Sequence, residues 1–362
     1  MIVVVKIGTS SLVDGSGHLD TGEIRSLCGR LAELRADGEQ VLLVTSAAIT
    51  AGRRMLGFET RPSDPVLLQA ASAVGQGHLM AIYNDAFAAV GLVAGQILLT
   101  PLDFFERSRY LRVRDTLRCL LSLGVVPVIN ENDAVADDEI TFGDNDRIAA
   151  LVAQLVQADL LVLLTDIEGL HTADPRFSEE TSLISEIQEI DRELEAAAGG
   201  AGGADARGGM ASKLSAARIA SWAGVPTVIA SARRGGVLRD AVAGKNVGTL
   251  ARPRAQRLGA RKLWIAFAVR SVGRLSVDEG ARRALVERGK SLLAVGVYSA
   301  SGEFVAGDAV EVAGPDGEVF AKGLVRMPSA RLDAVIGRRS AEHEAGTPEE
   351  LIHRDDMVLL AP

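Results

Sequence analysis

The sequence predicts an α/β protein: a mostly parallel central sheet covered by helices on both faces, followed by a small, mainly β domain. Three observations carry that expectation. Short aliphatic runs alternate with amphipathic helical patterns from Ile2 to Ala230. Apolar residues make up 48% of the chain and aromatics only 4%, so aliphatic packing of helix on sheet must form the core. After about residue 255 the texture shifts to shorter strands and more frequent turns. A chain of 362 residues also exceeds one ordinary domain of roughly 150.

The elements follow in order. IVVVK at 2–6 reads as a buried strand. Residues 23–38 put Ile24, Leu27, Leu31 and Leu34 on one helical face and stop at Gly38, and VLLVT at 41–45 is a second strand. A long helical pattern from Leu67 to about Val90 precedes VAGQILLT, and residues 113–124 precede VVPVIN. Residues 147–159 precede LLVLLTD, and 212–224 precede VPTVIA. Strand, helix, strand at this density means parallel strands joined by right-handed crossovers. Pro127 counts against a central place for VVPVIN, because proline has no N–H for the ladder. AAAGGAGGADARGG at 196–209 has the composition of a surface linker. In the second domain, residues 304–325 read as two strands joined by a Pro-Asp-Gly turn, and MVLL at 357–360 as a last strand.

Composition excludes several classes. The net charge of −8 and pI near 5.3 argue against general affinity for polyphosphate or anionic lipid. Cys28 and Cys119 fall in separate helical patterns, giving neither a disulfide framework nor metal-ligand spacing, as expected in reducing cytoplasm. The opening MIVVVK is too short for a secretory apolar region, and no apolar run reaches membrane length.

In an open parallel sheet, ligands sit beyond the carboxyl ends of the strands. Four polar stretches occupy such places: KIGTS at 6–10, TSAAITAG at 45–52, NENDAVADDEITFGDND at 130–146, and TDIEGLHTADPR at 165–176. Lys6 ends a buried strand, so its ammonium reaches either water or an anion. Thr45 and Ser46 are capping candidates as much as ligand donors. GGMASK at 208–213 runs glycines into a helix with a lysine near its first turn, like a phosphate cradle, yet no Walker A pattern is present. The stretch at 130–146 holds seven carboxylates, which must be solvated, metal-bound or facing cations. Asp137, Asp138 and Glu139 read as a solvated loop.

The order and spacing of VVVKIGTSSL, VTSAAITAGR, PVINENDAV, FGDND, LLTDIEGLHTADPR and GGMASKLSAA resemble the glutamate 5-kinases of the amino acid kinase family along nearly the whole chain. SVDEGARRALVERGKSLLAVGV, FVAGDAVEV and HRDDMV resemble the PUA domain that follows that kinase in many bacteria. The resemblance implies a three-layer catalytic domain at 1–255, a linker at 256–270 and a PUA-like domain at 271–362. It implies transfer of phosphate from ATP to the γ-carboxylate of L-glutamate, with Mg2+ bridging the ATP phosphates and held by no protein cage. It further implies feedback inhibition by proline and a homo-oligomer assembled through the kinase domain.

Carried over residue by residue, the resemblance makes Lys6 and Lys213 the phosphate lysines and Asp146 the carboxylate that holds both. Ser46, Asp133 and Asn145 match the glutamate-binding positions. Gly8, with Lys6, Thr165, Asp166 and the segment Arg207, Gly208, Gly209, Met210, Ala211, Ser212, Lys213, matches the nucleotide-binding positions. No general base is needed, since the attacking carboxylate is already ionised at neutral pH.

Two departures bear on rate and nucleotide contacts. Ala47 stands where the family has glycine, and RGGMASK replaces TGGMSTK, with Arg207, Ala211 and Ser212 in place of Thr, Ser and Thr. The alternatives are a sister kinase acting on aspartate or N-acetylglutamate, and an RNA-binding regulator with a decayed kinase half. RNA is disfavoured, because residues 271–362 carry 11 basic against 15 acidic side chains, a net of −4.

Overall fold

The computed structural model describes residues 1–135, 145–173, 181–191, 194, 209–255, 257–337 and 350–360. They form two compact units, Met1–Arg257 and Leu258–Pro362.

The first unit is built on the strands β1 (Ile2–Ile7), β2 (Gln40–Val44), β3 (Ala94–Leu99), β4 (Val126–Glu131), β5 (Leu160–Thr165), β6 (Glu186–Ile187), β7 (Thr227–Ser231) and β8 (Gly248–Ala251). Their spatial order is β3-β4-β2-β1-β5-β7-β8-β6, and every pairing is parallel except β7 with β8. Pro127 is accommodated in β4 because it lies opposite Gly95 of β3, while β2 joins only at Val128 and Ile129, so the proline meets an edge-like environment.

The helices are α1 (Thr9–Leu12), α2 (Thr21–Ala36), α3 (Ala48–Met55), α4 (Pro65–Ala88), α5 (Leu102–Phe105), α6 (Arg107–Ser122), α7 (Asn145–Val156), α8 (Met210–Trp222) and α9 (Val237–Val242). Alternation along the strands sorts them into two layers. Val3, Val5 and Ile7 of β1 share a core with Leu27 and Leu31 of α2, Leu79, Tyr83 and Phe87 of α4, and Leu238 of α9. Val4 and Lys6 therefore face the opposite layer, where α7 lies on β1 and β5, α8 on β7, and α6 on β4. The result is the helix–sheet–helix architecture read from the sequence.

On one face, α3 crosses α4 at backbone contact. A Cβ at Gly75 would stand 1.9 Å from the Ala48 carbonyl oxygen and 2.3 Å from the Gly52 nitrogen, and one at Gly52 only 1.7 Å from the Ala71 carbonyl oxygen. Just before this crossing, Ala47 holds φ 79 and ψ 6 at the N-cap of α3, a left-handed conformation that a Cβ strains.

The second unit contains a five-stranded sheet in the order β11-β9-β12-β13-β15 and the pair β10-β14, with β9 Ser271–Val277, β10 Leu292–Leu293, β11 Val297–Ser301, β12 Ala309–Ala313, β13 Val319–Leu324, β14 Glu350–Ile352 and β15 Met357–Leu359. The Pro-Asp-Gly turn is present: Gly317 N–H donates to the Gly314 oxygen at 3.0 Å and Gly317 takes φ 80. Residues expected to be linker include the helix α10 (Ala260–Leu263), continued by a π turn over Trp264–Ala268. Leu263 and Ile265 are buried there, so apolar anchoring gives this stretch structure. Arg261, Arg274, Arg282 and Arg326 pair with Asp356, Glu311, Asp316 and Glu350, which spends these cations internally.

Gly75→Ala is expected to destabilise the first unit by about 3 kcal/mol in urea unfolding, since backbone on both sides cannot yield. Ala47→Gly should have the opposite sign, stabilising by about 1 kcal/mol as the left-handed strain is removed.

Candidate functional site

The carboxyl ends of β1, β2, β4 and β5 lie side by side, which brings the polar stretches after each of them to one edge of the sheet. Lys6 is directed by strand alternation to the layer that carries α7 and α8. Those helices pack against each other, and α7 also lies on β1. Asp146, in the first turn of α7, meets both lysines: Lys6 Nζ is 2.5 Å from Asp146 Oδ1, and Lys213 Nζ is 3.0 Å from Oδ2. All three are buried, at 2%, 4% and 0% exposure for Lys6, Lys213 and Asp146.

Burial alone pushes the Asp146 carboxyl up, and the charges and hydrogen bonds of Lys6 and Lys213 more than reverse it, so Asp146 sits below the ordinary carboxylate range. An ammonium carries three donors, and the pairing with Asp146 engages one of those on Lys6. A buried ammonium with donors to spare fits an anion such as a phosphate.

A second group of side chains, uncharged for the most part, lies beside the first, because Asn145 immediately precedes Asp146. Asn145 Nδ2 donates to Ser46 Oγ at 3.1 Å and to Asn130 Oδ1 at 3.0 Å. Asn130 Nδ2 in turn donates to Gln76 Oε1 of α4 at 2.9 Å. Asn130 reaches α4 because Val126 and Val128, four and two residues before it, face the same helical layer. Thr45 is committed elsewhere, sharing a hydrogen bond with Tyr83 Oη at 2.7 Å, which leaves Ser46 as the hydroxyl at the site. Asp133 accepts from Ser72 Oγ of α4 at 3.1 Å. Desolvation pushes the Asp133 carboxyl above its usual value, opposed by the Ser72 hydrogen bond and the Arg61 charge.

The remaining expected residues divide. Thr165 closes β5 next to β1, and its hydroxyl donates to Asp166 Oδ1 at 3.0 Å. An added Cβ at Gly8 would stand 3.5 Å from Lys6 Nζ, so the glycine leaves room beside the ammonium. Gly209 caps α8, and Met210, Ala211 and Ser212 form its first turn ahead of Lys213. Arg207, Gly208, most of the glycine-rich run, and Asp137, Asp138 and Glu139 lie outside the described residues.

Ser72, Gln76 and Asn130 were not singled out in the sequence. Their signal was present: Ser72 and Gln76 are polar residues four apart in an aliphatic helical pattern, which puts both on one face.

A profile of the amino acid kinase family matches residues 1–231, and a PUA domain profile matches residues 273–347. The chain is 46% identical to a glutamate 5-kinase of Pelobacter propionicus over 362 residues, 99% of this chain and 97% of that one. It is 48% identical to a glutamate 5-kinase of Stutzerimonas stutzeri over 361 residues, again 99% and 97% of the two chains. Among solved structures, a UMP kinase from Bacillus anthracis aligns at TM-score 0.50 and 15% identity, covering 70% of this chain and 96% of that one, which speaks to the fold alone. With a family profile spanning most of its length and relatives matched nearly end to end, this chain belongs to the amino acid kinase family and carries a PUA domain behind its kinase unit.

Proposed function

We propose that this chain catalyses ATP-dependent phosphorylation of the γ-carboxylate of L-glutamate, giving L-glutamyl 5-phosphate, the first step of proline biosynthesis. The observation that carries it is the buried bridge of Lys6 and Lys213 across Asp146, beside a largely uncharged group of hydrogen-bonded side chains, in a chain similar to glutamate 5-kinases over 99% of its length.

The chemical obstacle is repulsion between the substrate carboxylate and the terminal phosphate of ATP. A γ-carboxylate oxygen forms a bond to phosphorus as the bond to the bridging oxygen breaks, and ADP leaves with that electron pair. Lys6 and Lys213 neutralise charge on the transferred group, and Asp146 fixes their positions without moving a proton. Asp133 receives the substrate ammonium, while Ser46 and Asn145 hold its polar groups, which favours a free amino acid over an acylated one. Thr165, Asp166, Gly8 and the segment from Arg207 to Lys213 contact the nucleotide. Mg2+ bound to the ATP phosphates would supply further charge neutralisation.

L-proline, another free amino acid, is the feedback inhibitor in this reading and competes with glutamate at Asp133. The enzyme works in the cytoplasm as a homo-oligomer joined through the kinase unit.

Purified protein with Mg-ATP, L-glutamate and hydroxylamine should yield γ-glutamyl hydroxamate; turnover of aspartate or N-acetylglutamate in its place would reassign the substrate. Asp146→Asn should lower kcat by about 10²-fold or more. The same change leaves two buried ammonium groups without their anion, costing about 3 kcal/mol in urea unfolding at neutral pH. Because the Asp146 pKa is depressed in the folded state, its stabilising contribution is present above the unfolded value of about 3.9 and fades as pH falls through the lower folded value. Asp133 has the reverse sign. Its raised pKa makes the ionised form destabilising once pH climbs past the unfolded value, so Asp133→Asn should raise Tm at pH 8 and lose that gain near pH 4, while raising KM for glutamate.

A further inference from the structure

The inner face of α4 presents Ser72 and Gln76 one turn apart, both buried. Ser72 holds Asp133, and Gln76 Oε1 accepts from Asn130 Nδ2 at 2.9 Å. A backbone donor fixes how these amides are turned. The Glu131 N–H, which can only donate, reaches Asn130 Oδ1 at 2.9 Å and Asn145 Oδ1 at 3.3 Å, and Asn145 Nδ2 donates to the same Asn130 oxygen at 3.0 Å. The Asn130 Nδ2 group must then face Gln76, and Gln76 must answer with its oxygen. Gln76 Nε2 is left buried, and among the described residues neither of its N–H groups has a hydrogen-bond partner. A buried amide donor in that state is destabilising until an acceptor reaches it.

We infer that Gln76 is a specificity-determining residue whose Nε2 donates to the α-carboxylate of the bound amino acid. The inference rests on the reading of Asp133 as the acceptor of the α-ammonium. Side chains four apart on a helix stand about 5–6 Å from each other at Cβ, an interval that the ammonium and carboxylate of one α-amino acid bridge with a hydrogen bond at each end. The helix face thus offers an acceptor, through Ser72 and Asp133, and a donor one turn on, the complement of a zwitterion. A ligand carboxylate is also the acceptor that Nε2 lacks.

Gln76→Glu separates the two ends of this side chain: it keeps an oxygen toward Asn130 and replaces the amide donor with an oxygen that repels a carboxylate. The measurement is kcat/KM for L-glutamate and for its α-amide, in which the α-carboxylate is neutral; below the detection limit for turnover, the α-amide is assayed as a competitive inhibitor. The expected result is that the preference for glutamate over the α-amide falls roughly tenfold or more in Gln76→Glu, with KM for ATP unchanged. An equal loss for both ligands, or no loss for either, would overturn the inference. Should Gln76→Glu fail to fold, Gln76→Met serves: a rise in KM for glutamate of about tenfold supports the assignment, and an unchanged KM refutes it. Absence of hydroxamate from the unsubstituted protein would instead refute the glutamate kinase reading itself.

Discussion

One carboxylate held between two ammonium groups is the constraint on which the rest of the kinase unit depends. Removing Lys6, Asp146 and Lys213 from water is expensive, and the geometry repays it only if all three arrive together. That requirement reaches back into the fold. β1 must end with Lys6 turned to the α7 layer, α7 must begin with Asp146 over the strand end, and α8 must carry Lys213 alongside it. Flanking parallel strands on both sides of β1 hold the first of these in register, pairing Lys6 with Val44 and Leu163. The reaction proposed for this arrangement needs no general acid or base, because the attacking carboxylate is already ionised at neutral pH.

The neighbouring group of side chains works by different physics. From Gln76 through Asn130 and Asn145 to Ser46 the contacts are neutral hydrogen bonds, each partner's orientation dictated by the one before. Such a chain confers direction without adding charge next to Lys6 and Lys213. Asp133 is the exception, and its elevated pKa records a desolvation cost that stability alone gives no reason to bear. A carboxylate kept at such a cost is understandable where a ligand cation relieves it.

Much of this was legible in the sequence. The alternation of aliphatic runs and helical patterns fixes the layered sheet; Lys6 stands out because it ends a buried strand and Lys213 because glycines run into its helix, whereas Asp146 was marked only by the resemblance to the family. The residues that escaped notice are those whose meaning is relational. Ser72 and Gln76 look unremarkable within α4 until the Gly52 and Gly75 crossing shows how closely that helix approaches the site. Asn130 lies in a conspicuous acidic motif, yet only strand parity reveals that it faces α4 while its neighbours do not. The structured turn at Ala260–Ala268 was hidden by flanking basic residues, which mask Leu263 and Ile265 as anchors. Pro127 misled in the other direction, since a strand can be central along most of its length and still have only one partner where the proline sits.

The α3–α4 crossing has a mechanical corollary. Side chains at an interface act as springs: they change rotamer and absorb small displacements. Where Gly52 and Gly75 meet, main chain touches main chain and that compliance is absent. The two helices therefore behave as a single stiff plate, with Ser46 at one margin and Ser72 and Gln76 along another, and the wall that faces the proposed amino-acid site keeps its dimensions.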